Sequence, residues 1–167
     1  MASSTGDPQF ARAQTQGSAE RDAELVAVFS AYTVASVCWL LFATAVGLLL
    51  AFKFGAPDFW AGKYLTFGRL RPVHTNGTFY GWASIALVGL AYYVAARSCG
   101  TRLYSVRLAW VGLWLFNIAA VAGTAALVLG YNWGNLEYRE WPWPIRLIFL
   151  AALLVTAGLF VARAVGW

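Results

Sequence analysis

Few residues of this chain can do chemistry, and most of them stand at the edges of apolar runs. His74 is the only histidine, inside the string FGRLRPVHTNG (67–77) and three and five residues beyond Arg71 and Arg69. A lone imidazole can ligate a metal or move a proton, but it cannot complete a His-rich site from within one copy. On a helix starting near His74, offsets of three, four, seven and ten put Gly77, Thr78, Gly81 and Ser84 on one face. That strip has almost no side-chain bulk. It suits close helix packing through Gly77 and Gly81, or a flat groove beneath an imidazole that binds a haem iron. Arg69 and Arg71 either snorkel to water or hold carboxylates such as haem propionates, which the guanidinium fork fits.

A second group lies in LEYREWPWP (136–144), where Glu137 and Glu140 stand three apart with Arg139 between them. Carboxylates at a membrane boundary need a partner or a hard cation such as Ca²⁺. A solvated loop with Arg139 as partner serves as well. Asn117, in the middle of an apolar run, reads as an interhelical hydrogen bond rather than a ligand. Cys38 and Cys99 are not placed to pair. There is no CxxC or CxxCH, which excludes covalently attached c-type haem on this chain.

The elements that position these residues are membrane helices. Hydrophobic residues make up 60% of the chain and charged ones 11%, against roughly 25% charged in soluble proteins. Mean hydropathy is +0.62. The formal charge of +5 is spread between apolar runs, which points to interfacial anchoring and not to nucleic acid. Charge-free runs cover 26–51, 79–96, 108–130 and 147–162. About 20 residues at ~1.5 Å each cross a ~30 Å hydrocarbon layer. The second run reaches that length by starting near His74. The fourth does so with its flanks, from whose ends Arg146 and Arg163 snorkel.

The sequence therefore predicts an all-α integral membrane bundle of about four transmembrane helices, near 25–53, 74–97, 105–130 and 144–166. A polar tail, 1–24, is expected to be disordered and lacks the pattern of a signal peptide. Gly55, Pro57 and Asp58 break the chain after the first helix, and Pro72 precedes the second. Ser98 and Gly100 end the second, Ser105 caps the third, and Pro142 and Pro144 introduce the fourth. Trp60, Trp133, Trp141 and Trp143 suggest an aromatic belt on one side, with Trp110 and Trp167 on the other. Both termini then share a side. Lys and Arg divide six against six, so charge gives no orientation.

LTFGRLRPVHTNGTFYGW, then AYYVAAR, then GY followed by EYREWPWPI, resemble subunit I of the cbb3-type cytochrome c oxidases, the C-family branch of the haem–copper oxidases. The similarity runs from about residue 33 to about residue 161. It implies an all-helical membrane subunit that reduces oxygen to water and translocates protons, with electrons from c-type cytochrome subunits. His74 would be an axial ligand of low-spin haem b, and Arg71 would contact its propionate region. Glu137 resembles a calcium ligand, and Glu140 a second acid near the active haem. The family subunit has many more helices, and its other haem and copper histidines lie in the later ones. Pro142 replaces a family carboxylate, and Arg139 stands where a small residue is usual.

The resulting expectation is the N-terminal part, or one half of a split, subunit I in the cell inner (plasma) membrane, both termini cytoplasmic. Copper and high-spin haem would come only through the remaining subunit I helices or a second polypeptide. Three rivals remain: a non-catalytic membrane b-type cytochrome, a nitric oxide reductase-like subunit, and a haem-free assembly protein.

Overall fold

The computed structural model describes residues 8–100, 102–133 and 136–165. α1 runs Pro8–Gly55. Its 48 residues extend about 72 Å at ~1.5 Å per residue, more than twice a bilayer core. α1 takes in the described part of the polar tail, from Pro8. Ala, Gln, Glu and Arg are good helix formers, and the apolar run below supplies a nucleus to extend. An ion pair of 3.2 Å from Arg97 to Asp22 ties this extension to the end of the second membrane crossing.

That second crossing is one continuous helix in three stretches. α2 spans Phe67–Asn76, a π-helical segment Gly77–Ala83 follows, and α3 spans Ser84–Ser98. The helix begins well before residue 74, with Thr66 extended at its N-cap. Pro72 therefore lies inside it and not in front of it, and Arg69 and Arg71 are helical. Pro72 has no N–H to give the carbonyl of Gly68, and side chains add bonds to the carbonyls that follow it. Thr75 Oγ1 donates to the carbonyl of Arg71 (3.2 Å), and Asn76 Nδ2 to that of Pro72 (2.8 Å). In the wider turn beyond, Thr78 Oγ1 donates to His74 O and Ser84 Oγ to Phe79 O.

α4, Val106–Leu129, starts at Ser105, whose Oγ accepts from the Leu108 amide (3.3 Å), as its N-cap role predicts. It ends at Gly130, at φ 93°, where a Cβ would be strained. α5, Trp143–Ala164, follows Pro142 and carries Pro144 in its first turn. Among the described residues four helices are long and apolar enough to cross a membrane.

The core has two parts. Towards the termini, Tyr32, Ile85, Tyr92, Ala109 and Phe116 interlock. At the other end Val73, Ala119, Ala120, Leu127 and Trp141 do, and Trp39 and Phe149 pack against both. Trp141 is thus a core residue and not part of an aromatic belt. Its indole lies on Gly123, where a Cβ would sit 2.2 Å from the ring. Trp60, Trp133, Trp143 and Trp110 are exposed as a belt requires; Trp167 lies outside the described residues. Both cysteines are free.

Candidate functional site

His74 points from α2 towards α1. Its Nδ1 lies 2.8 Å from the carbonyl of Ala43. A carbonyl only accepts, so Nδ1 carries the proton and the neutral ring keeps its lone pair on Nε2. Gly47, one turn beyond Ala43, makes room for the ring: a Cβ there would stand 2.7 Å from His74 Cε1. Gly47 escaped the sequence reading. Its only mark is the small-xxx-small pair with Ala43 inside a long apolar run.

The glycine strip below His74 is closed. A Cβ on Gly77 would meet Ala43 Cβ at 3.6 Å, and one on Gly81 would meet the Trp39 ring at 2.6 Å. Of the two expectations for Gly77 and Gly81, close helix packing is the one realised. The open groove is not present, because α1 fills it with Trp39. The Trp39 indole N–H donates to Asn117 Oδ1 (3.0 Å), and Asn117 Nδ2 to Leu113 O. Asn117 is thereby the interhelical hydrogen bond expected of it.

Arg69 is engaged elsewhere. Its Nη1 donates to Val128 O (2.7 Å), and its guanidinium packs under Gly130. A cation satisfying the last carbonyls of α4 is favoured there by the helix dipole. Arg71 pairs with Glu137, both about half exposed. The loop carboxylate thus takes its partner from α2 and not from Arg139. Calcium wants six to eight oxygen ligands. Among the described residues no three of His, Cys, Asp and Glu come together, so Glu137 is the one carboxylate this loop would bring to such an ion, in competition with Arg71.

Glu140 goes inward. It is 8% exposed and accepts from Asn76 Nδ2 at 3.0 Å. The same nitrogen donates to Pro72 O, so turning the amide round would set its oxygen against two acceptors. Asn76 Oδ1 has no hydrogen-bond partner. Nearby, Tyr80 donates to the carbonyl of Tyr138 and packs against Trp141 and Phe149. A cavity of about 220 Å³ opens between Tyr80, Tyr138, Trp141, Arg146 and Phe149. The H-T-N string therefore faces two ways, His74 to α1 and Asn76 to the loop before α5. Neither Asn76 nor Tyr80 was singled out from the sequence, since neither breaks an apolar pattern as a charge does.

Comparison with known proteins finds relatives of this chain. Residues 27–166 match the family described as cytochrome c and quinol oxidase polypeptide I. The chain is 30% identical over 134 residues to a cytochrome c oxidase subunit 1 homolog of Agrobacterium tumefaciens, covering 78% of this chain and 25% of that protein. It is 28% identical over 130 residues to the cbb3-type cytochrome c oxidase subunit CcoN1 of Stutzerimonas stutzeri, covering 77% and 27%. With cytochrome c oxidase subunit 1 of Rhodobacter capsulatus the identity is 29% over 145 residues, covering 81% and 27%. The chain spans about a quarter of the length of these relatives.

Proposed function

This multi-pass membrane chain belongs to the cytochrome c and quinol oxidase polypeptide I family, and on that premise we propose that it supplies the first helices of a respiratory terminal oxidase subunit I and one axial ligand to its low-spin haem b. The observation that carries the reading is the hydrogen bond from His74 Nδ1 to Ala43 O. A metal-binding histidine typically donates its other ring N–H to a carbonyl or carboxylate, which fixes the tautomer and raises the basicity of the ligating nitrogen. His74 has that arrangement, and Gly47 leaves room for its ring. Haem, when bound, would supply the one-electron redox centre. Arg71, exposed beside His74 on α2, is the residue suited to a propionate, and Glu137 would release it or share it. Arg69 is occupied by α4 and is not assigned to the cofactor.

The single histidine leaves the second axial position, the high-spin haem and the copper to other helices of subunit I or to a second polypeptide. Electrons would arrive from c-type cytochrome subunits. In the assembled complex, His74→Ala should abolish the low-spin b signal of the reduced-minus-oxidised spectrum. Gly47→Ala, which crowds the ring without removing it, should shift or weaken that signal. An unchanged spectrum in His74→Ala sinks the assignment.

We further propose that both termini face the cytoplasm of an inner-membrane protein, with His74, Arg71 and Glu137 at the outer end. Native Cys99 lies exposed at the termini end, and Ala61→Cys would mark the other. An impermeant thiol reagent added to intact cells should label Ala61→Cys and spare Cys99. Labelling of Cys99 alone reverses the topology.

A further inference from the structure

At the end opposite His74, a cavity of about 490 Å³ opens between the α1 extension, the end of α3 and the loop leading to α4. Charged side chains of both signs line it: Arg21, Asp22, Glu24, Arg97 and Arg102. Asp22 and Arg97 neutralise one another at 3.2 Å. That leaves two guanidiniums, Arg21 and Arg102, and one carboxylate, Glu24, with no ion pair among the described residues. Glu24 lies two residues before the first charge-free run, and Arg97 follows the second directly. The cavity therefore sits at the level of lipid headgroups. Leu25 and Ala96, both buried, contribute apolar lining. Ala96 and Arg102 also border a smaller crevice that runs along Leu159 and Phe160 of α5.

We propose that this cavity seats the headgroup of a phosphatidylethanolamine. The phosphate goes to Arg21 and Arg102, since guanidinium is the preferred donor to such oxygens, and basic pockets between membrane helices take lipid headgroups. The ammonium goes to Glu24, which otherwise faces the cavity uncompensated. The acyl chains continue over Ala96 and Phe160 into the bilayer. Phosphatidylglycerol would satisfy the arginines but offer Glu24 no cation. Phosphatidylcholine carries a cation with no N–H to donate. Selectivity therefore rests on Glu24 and affinity on the two arginines.

Native mass spectrometry of the full chain in detergent tests this, with dioleoyl-phosphatidylethanolamine, -phosphatidylglycerol and -phosphatidylcholine supplied in equal amounts. The wild type should retain one ethanolamine lipid in preference to either competitor by about tenfold, a factor that one satisfied charge supports. Glu24→Gln should erase the preference over phosphatidylglycerol, and Arg21→Gln with Arg102→Gln should lose all specific retention. Equal retention of the three lipids by the wild type, or preference for phosphatidylglycerol, overturns the proposal without reference to any variant. So does persistence of the preference in Glu24→Gln. If water-soluble glycerophosphoethanolamine competes as strongly as the intact lipid, the ligand is a free phosphate ester and the membrane source is wrong.

Discussion

Asn76 and Glu140 show how one amide can hold a buried acid at a helix–loop junction. Glu140 is the only buried acid among the described residues, and Asn76 Nδ2 is its side-chain donor. Asn76→Ala takes that donor from the buried carboxylate. The expected cost is about 1.5–3 kcal/mol, the range for a hydrogen bond to a charged group. Glu140→Gln keeps an acceptor for Asn76 while removing the charge, so it should cost less. In the double variant the amide is lost but no buried charge is stranded, and part of the loss should return. Thermal unfolding in detergent reads all three. Strictly additive effects would mean that the two side chains do not support one another. At this scale the sequence was legible where charge interrupts hydrocarbon. His74, Arg71, Glu137 and Glu140 stand out for that reason, and Arg71 with Glu137 do meet. Gly47, which shapes the space for the imidazole, is one small residue in an apolar run, and only the partner helix reveals its use.

Among the elements, the membrane crossings were readable because charge-free length is set by bilayer thickness. Their ends were less so. Pro72 reads as a boundary in isolation, yet the helix runs through it, with Thr75 and Asn76 side chains adding bonds to the carbonyls of Arg71 and Pro72. The stretch 8–24 reads as a tail from its polarity, and α1 runs through it. What no periodicity discloses is which small residues receive a neighbour's ring. Gly81 takes Trp39, Gly89 takes Tyr32 and Gly123 takes Trp141. The last is the tightest, so it makes the clearest test of α4 against the loop before α5. Gly123→Ala drives a methyl into the indole and should destabilise by about 1–3 kcal/mol, as overpacking does. Adding Trp141→Leu opens the space again, so the pair should lose less than the sum of the two single changes. Chemical unfolding followed by Trp fluorescence or helix signal measures it. Equal stability of Gly123→Ala and wild type would mean that Trp141 does not rest on α4.

At the scale of the whole molecule, much of the apolar surface is exposed. Leu41, Leu48, Trp114 and Leu154 are each 59–65% exposed, a display that lipid tolerates and that further helices can also cover. That the chain is a membrane bundle was legible from composition alone. That α1 covers the glycine strip was not, because the order in which helices pack is a property of their assembled faces. His74 faces α1 with Nδ1 committed, and the sequence holds no second histidine. A low-spin haem needs two strong axial ligands, so on the proposed ligation by His74 a single copy supplies one of the two. Purified monomeric chain given haem b should therefore show a high-spin, one-imidazole spectrum. Added free imidazole should convert it to the low-spin form, and His74→Ala should fail to retain haem on gel filtration. Oxygen uptake should stay absent in every one of these preparations, because copper also needs imidazoles. It should appear only on co-expression with a polypeptide carrying the remaining ligands. A low-spin spectrum from the monomer without added imidazole would show that some other side chain completes the iron, and the dependence on partner helices would fall with it.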